Sequence, residues 1–281
     1  MGEVFSLCLI GQGIASSPSR AMQEAALAAS GRKGTYDIVN VSASELPGVL
    51  RDLRARRWHG ANVTTPYKFA LAAVCDELEG DAARTGAVNT ITVTEDGHLV
   101  GDNTDAVGFE MALSGRQLWP VPESRALVFG ASGAAAAVVL ALSRVPVQRT
   151  TVVARRINEA RSLLDRLGAG GVGGDMGVGL WDEDYLERLV ATADIVVNAT
   201  SAGAGDMPFT PAQLKASCTV ADVRYRPRPV DLVAASLGAG LRGCDGADML
   251  LHQGMLSFRR WTGDEAPYAA ARLALEEALG P

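Results

Sequence analysis

Residues 126–142 read ALVFGASGAAAAVVLAL, and this stretch decides the fold class. A short apolar run of strand character meets a tight turn at Gly130-x-x-Gly133, and an alanine-rich run of helical length follows. Strand, turn and helix in that order open a βαβ unit. The backbone N–H groups and dipole of such a helix favour an anion at its start. Gly130, Ala131, Ser132, Gly133 and Ala134 are small enough to let a pyrophosphate approach. The match to G-x-G-x-x-G is partial, with Ser132 at the middle glycine and Ala135 at the last. By itself the turn leaves a second reading open, glycine kept only for packing.

The following strand, Thr150–Ala154, bears on the cofactor. In NAD-binding units an acid about twenty positions past the glycines holds the ribose 2′-hydroxyl. Here Ala154, Arg155 and Arg156 occupy that place, and there is no acid. Guanidinium groups suit a 2′-phosphate through charge-assisted, bidentate bonds. Cations also disfavour a helix start, so an anionic partner accounts for them better than solvent does. The expected cofactor is NADP.

Outward from this unit, apolar runs alternate with helical periodicity, the pattern of an α/β protein with mostly parallel strands. On the N-terminal side strands are expected at 5–10, 36–41 and 61–63. A helix is expected over 19–29, and another runs to Arg56, capped by Ser44 with Glu45 in its first turn. A hairpin of 87–93 with 98–100 follows, then a helix within 101–113. SGRQLWPVPESR (114–125) is a polar, proline-bearing loop. Beyond the glycine turn come helices at 133–143 and 158–167 and strands at 195–198 and 219–223. Residues 168–179, GAGGVGGDMGVG, hold seven glycines and read as a flexible connection rather than a phosphate cradle. Two domains result, one ending near residue 106 and a second running from 107 to 246, with a helical tail at 247–281.

Composition narrows the function classes. The chain has 281 residues, 48% of them hydrophobic, and a net charge of −6, which argues against a nucleic-acid surface. No run of eighteen apolar residues spans a membrane, and MGEVFSLCLIGQG lacks the basic start of a signal peptide. The cysteines, Cys8, Cys75, Cys218 and Cys244, are scattered, and His59, His98 and His252 make no metal motif. Cysteines of this kind fit a reducing cytoplasm, and no metal is expected.

One lysine stands out. GANVTTPYKFALAAVCDEL (60–78) carries Lys68, and no other lysine lies between Lys33 and Lys215 in a chain rich in arginine. The bland reading is an exposed lysine at a helix start. Its neighbours decide otherwise. NVTTPYK (62–68), GAVNT (86–90), GDNTDAVGF (101–109), FGASGAA (129–135), VNATSAG (197–203), DVRYRP (222–227) and GADMLLHQGMLSFRRWTG (246–263) together resemble the shikimate dehydrogenase family, in the family's order and almost end to end.

The resemblance implies a two-domain fold: an N-terminal α/β substrate domain, to which the helices 247–281 return, and a C-terminal Rossmann-type domain that binds NADP. It implies reduction of 3-dehydroshikimate to shikimate, a step of the shikimate pathway toward chorismate and the aromatic amino acids. Lys68 and Asp105 become the acid–base pair. An ammonium can stabilise the developing alkoxide and give up a proton, which a guanidinium cannot readily do. Ser17 and Ser19 match the serines that hold the substrate carboxylate. Asn62, Thr64, Asn89 and Gln253 match positions that bind ring hydroxyls, and Tyr225 a position near substrate or nicotinamide. Ala199, Thr200 and Gly246 join the cofactor set. Departures are Arg20 in the place of a proline and Gln23 in the place of a histidine. LIGQGI (9–14) and the HQ at 252–253 are more similar to the quinate/shikimate branch, whereas Ser19 and the arginines after the cofactor strand are not, which leaves quinate/shikimate and aminoshikimate specificity open. A non-catalytic NADP sensor on the same fold is the rival from another class, against which Lys68 and Asp105 both stand. A homodimer is compatible with these readings.

Overall fold

The computed structural model describes residues 4–280, so Met1–Glu3 and Pro281 lie outside the described residues. Backbone contacts divide the chain into two compact units, one running to Thr104 and resuming at Leu251, the other Asp105–Leu250.

The first unit contains β1 (Val4–Gly11), α1 (Ser19–Ala29), β2 (Lys33–Asn40), α2 (Leu46–Arg54), β3 (Gly60–Val63), α3 (Lys68–Ala72), β4 (Glu77–Leu78), α4 (Gly80–Thr85), β5 (Thr90–Val93) and β6 (Leu99–Asp102). They form one sheet in the order β2-β1-β3-β5-β6-β4. The pairs β2-β1 and β1-β3 are parallel, and β5 and β6 make the antiparallel hairpin. Cys8, Ile10, Leu53, Ala61, Leu71, Val88 and Ile91 are fully or almost fully buried in its core.

At the sheet's edge, β2 is closed by its own helix. The Tyr36 N–H donates to Glu24 Oε1 (3.2 Å) and Arg20 Nε donates to the Tyr36 carbonyl (2.9 Å). Two α1 side chains one turn apart thus satisfy the outward N–H and carbonyl of Tyr36, which a neighbouring strand would otherwise bond.

The second unit contains α5 (Asp105–Gly115), β7 (Arg125–Phe129), α6 (Gly133–Leu142), β8 (Arg149–Ala154), α7 (Ile157–Ala169), β9 (Met176–Leu180), α8 (Glu183–Thr192), β10 (Ile195–Asn198), β11 (Thr219–Asp222), α9 (Asp231–Gly238) and β12 (Arg242–Cys244). All its strand pairs are parallel, in the order β12-β11-β10-β7-β8-β9. Numbered from β7, that is the doubly wound Rossmann order, with the switch point between β7 and β10. Gly133 and all of Ala135–Leu142 in α6 are buried, which explains why the helix is apolar all round. The chain closes with α10 (Ala247–Thr262), inside which the unit boundary falls, and α11 (Tyr268–Leu279), which packs on α1.

Three local expectations need correction. Ser44 does not cap α2. The N-cap is Glu45, which lies just before the first turn, with no side-chain cap hydrogen bond; its Oε2 instead accepts the Ser42 N–H (2.8 Å) and hydroxyl (2.6 Å), and Leu46 opens the helix. Residues 101–102 belong to β6 because they pair with β5, so α5 starts only at Asp105. The glycine-rich stretch is not wholly a connection. Residues 176–180 form the edge strand β9, with Gly177 and Gly179 paired against β8. Met176, Val178 and Leu180 alternate with the glycines, a period-2 pattern that the glycine-rich surroundings hid.

Candidate active site

In the first unit the strand ends present polar side chains. Ser17 and Ser19 sit on either side of Pro18, which precedes α1. The Ser17 hydroxyl donates to Ser19 Oγ (3.1 Å) and accepts the Ser19 N–H (3.3 Å). Their loop is held by Asn40, whose Oδ1 accepts the N–H groups of Gly13 (2.7 Å) and Ile14 (3.2 Å). Arg20, next along, already spends its Nε on Tyr36.

After β3 the chain turns through Thr64 and a cis Thr65–Pro66 bond into α3. The Thr64 N–H donates to the Ile10 carbonyl (2.9 Å), tying the turn to β1. Lys68 is the first residue of α3, and its carbonyl accepts the Val88 N–H (3.0 Å).

Three residues predicted from sequence meet in one buried network. Asn89 Nδ2 donates to Gln253 Oε1 (3.1 Å) and Thr104 Oγ1 (2.9 Å), and Asn89 Oδ1 accepts the Thr104 N–H (2.8 Å) and the Thr90 hydroxyl (2.8 Å). Asn62 Nδ2 donates to the Asn89 carbonyl (3.1 Å) and to Ser257 Oγ (2.9 Å), while Asn62 Oδ1 accepts from the Tyr36 hydroxyl (2.7 Å). Both N–H groups of Asn62 are therefore spent on the protein. Tyr36, Thr90, Thr104 and Ser257 were not singled out from sequence. A faint signal existed for two of them, Thr104 inside GDNTD and Ser257 one turn after Gln253.

The second unit carries the remaining candidates. Asp105 is the first residue of α5 and is buried. Gly130 has φ +118°, and a Cβ there would stand 2.8 Å from the Ala199 carbonyl oxygen. Ser132 caps α6, accepting the Ala135 N–H (3.4 Å) and donating to the Ala199 carbonyl (3.3 Å). Gly130–Ala134 and Ala199–Thr200 thus line the two strand ends at the switch point. Thr200 is fixed by Asn198, whose Oδ1 accepts both its N–H (3.0 Å) and its hydroxyl (2.7 Å). Asn198 in turn donates to Asp222 Oδ2 (3.0 Å). The Gly246 N–H donates to the Arg224 carbonyl (2.9 Å), which places it beside the segment holding Tyr225.

Arg155 and Arg156 follow β8, and both are exposed. Arg156 pairs with Glu159, which supplies the anion expected at the helix start from within the chain. Arg155 has no such partner among the described residues. A bare backbone cradle at the switch point, with an unpaired guanidinium after β8 and no acid there, fits a dinucleotide that bears a 2′-phosphate. Among the described residues no group of side chains could hold a metal ion, and no helix is long and apolar enough to cross a membrane.

A Rossmann sheet with a phosphate turn, joined to an α/β unit carrying a buried amide cluster and a lysine-led helix, defines a two-domain dehydrogenase of a small polar substrate. The comparisons make this specific. Residues 9–91 match the shikimate dehydrogenase substrate binding domain, and residues 246–276 the shikimate 5′-dehydrogenase C-terminal domain. A shikimate dehydrogenase (NADP(+)) of Rubrobacter xylanophilus is 40% identical, covering 98% of this chain and 96% of the relative. The crystal structure of shikimate 5-dehydrogenase from Thermus thermophilus in complex with NADP(H) and shikimate superposes with a TM-score of 0.84 at 33% identity, covering 98% of this chain and 100% of that one. A quinate dehydrogenase from Corynebacterium glutamicum in complex with NAD superposes with a TM-score of 0.87 at 30% identity, covering 97% and 99%. The chain belongs to the shikimate dehydrogenase family.

Proposed function

We infer that this chain is an NADP-dependent oxidoreductase that interconverts 3-dehydroshikimate and shikimate. The observation that carries the cofactor choice is the unpaired Arg155, with no acid, after β8. When bound, NADPH supplies the hydride. The chain's own residues supply position and the proton: Lys68 gives it to the carbonyl oxygen as the alkoxide develops, with Asp105 as the carboxylate of the acid–base pair. Ser17 and Ser19 hold the carboxylate. Thr64 and Gln253 receive the ring hydroxyls, and Asn62 and Asn89, whose amide hydrogens are spent on the protein, hold that side of the site in place. Tyr225 stands near substrate or nicotinamide. Gly130–Ala134, Ala199, Thr200 and Gly246 give backbone to the dinucleotide. Residues up to 106, with the helices 247–281, form the substrate domain, and 107–246 the NADP domain. The enzyme works in the cytoplasm, as a homodimer if it associates.

The test is oxidation of NADPH, followed at its absorbance, with 3-dehydroshikimate and with 3-dehydroquinate, each repeated with NADH. Preference for NADPH and 3-dehydroshikimate is the expected outcome. No turnover with any pair would leave an NADP-binding sensor. A second reading, quinate and shikimate both as substrates, is favoured by the likeness to the quinate dehydrogenase and would show as comparable turnover of both ketones.

A further inference from the structure

The loop that leaves β10, residues 199–204, is held at both ends by one continuous chain of hydrogen bonds. At its start Asn198 Oδ1 accepts the Thr200 N–H and hydroxyl. Asn198 Nδ2 donates to the Ala202 carbonyl (3.0 Å) and to Asp222 Oδ2 (3.0 Å). The Asp222 side chain is fully buried at the end of β11, and Arg224 is the cation that meets it. Arg224 Nη2 donates to Asp222 Oδ2 (2.7 Å) and Arg224 Nε to Asp222 Oδ1 (3.1 Å), while the Arg224 N–H donates to the same Oδ1 (2.9 Å). Nη2 donates as well to Asp231 Oδ1 (2.7 Å). Asp231 Oδ2 in turn accepts the Ala204 N–H (2.8 Å) at the far end of the loop. The planar guanidinium fork thus serves two carboxylates, one buried and one half-exposed, and joins the two ends of the chain of bonds.

In a doubly wound sheet each half takes one mononucleotide. The glycine turn after β7 and Arg155 after β8 belong to the half that takes the adenosine with its 2′-phosphate. Asn198, Asp222 and Arg224 follow β10 and β11, in the other half. We propose that Arg224 is a positioning residue for the nicotinamide half of the cofactor. With Nε and Nη2 spent on carboxylates, it acts through the loop rather than by contact. It fixes the backbone of Ala199 and Thr200, so that the nicotinamide mononucleotide meets a preformed wall instead of one that must be ordered on binding. The proposal rests on the reading of the chain as an NADP-binding dehydrogenase.

The test compares two probes on the full chain. One is NADPH, followed by its fluorescence. The other is 2′,5′-ADP, followed by calorimetry, a fragment with the adenosine and its 2′-phosphate but no nicotinamide. Arg224→Met should weaken NADPH by roughly tenfold, the scale of a hydrogen bond to a charged group, and leave 2′,5′-ADP unchanged. Asp231→Ala cuts the outer joint alone, at a side chain 48% exposed, and should show the same split at smaller amplitude. Equal weakening of both probes would make Arg224 a support for the whole unit and overturn the proposal. Unchanged NADPH affinity in a folded Arg224→Met overturns it too. That variant leaves Asp222 buried without its cation; where thermal melting shows it unfolded, Asp231→Ala decides by the same two criteria. A wild type that fails to bind NADPH removes the cofactor reading itself, ahead of any variant.

Discussion

At the scale of single residues, the two arginines after β8 are not equivalent. Glu159 holds Arg156, whereas Arg155 keeps its guanidinium for a ligand. Arg155→Ala should therefore raise the KM for NADP by roughly tenfold, the scale of one charge-assisted contact. Arg156→Ala should do less, and neither should alter the KM for NAD. Steady-state kinetics with both cofactors check this; a larger effect at Arg156 would assign the phosphate to the other arginine. Lys68→Ala should lower kcat by about two to four orders of magnitude, the range of a positioned acid–base group, and change KM less. Lys68→Arg should restore little, because the guanidinium keeps its proton. A wild-type kcat in Lys68→Arg would leave the residue only its charge. The residue types in these motifs were legible because the chemistry dictates them. The partners were not. Asn62 reads as a ligand until Tyr36 and Ser257, 26 and 195 positions away, take its oxygen and one of its hydrogens. Glu159, three residues from Arg156, was in plain view and unweighed.

At the scale of elements, the turn after β7 depends on one backbone conformation. Gly130→Ala would put a Cβ at φ +118° and against the Ala199 carbonyl. It should cost about 1–3 kcal/mol in denaturant unfolding and weaken NADPH binding; unchanged stability and affinity would show that the turn can relax. Another joint is pH-sensitive. Asp76 accepts from Arg54 at the end of α2 (2.6 Å) and from the Leu99 N–H at the start of β6 (2.8 Å). The Arg54 hydrogen bond first, and then that N–H, hold its carboxyl down at about 2. A carboxylate with a folded value below its unfolded value of about 3.9 contributes stability above the latter and loses it as pH falls through the former. Asp76→Asn should lower Tm at pH 7, and the difference should shrink below pH 4 and be nearly gone at pH 2. A penalty independent of pH would point to lost packing. Helices with a hydrophobic stripe, such as α1, were legible to the residue. Strand β9 was not: Met176, Val178 and Leu180 alternate as in a strand, but the glycines between and before them read as a flexible connection.

At the scale of the whole molecule, burial governs the thiols. It pushes Cys218 and Cys244 up to about 12 and Cys75 to about 11, and raises Cys8 well above the ordinary thiol range. None is a ready thiolate near neutrality. A disulfide reagent at pH 7.5 should label the native protein slowly and four thiols promptly after unfolding; a fast thiol in the native state would contradict the burial. The two-unit plan was legible because the strand–turn–helix unit restarts after residue 125. The short elements β4, α4 and β12 were not, since two to six residues carry too little periodicity to show. One feature of the first sheet reaches beyond the single molecule. A parallel edge of eight residues is a template on which another chain could lay itself, and Arg20 and Glu24 stand where its backbone would have to bond. That guard makes colloidal behaviour depend on two side chains of α1. Copies lacking both would be prone to continue one another's sheets into insoluble ribbons while each stayed folded.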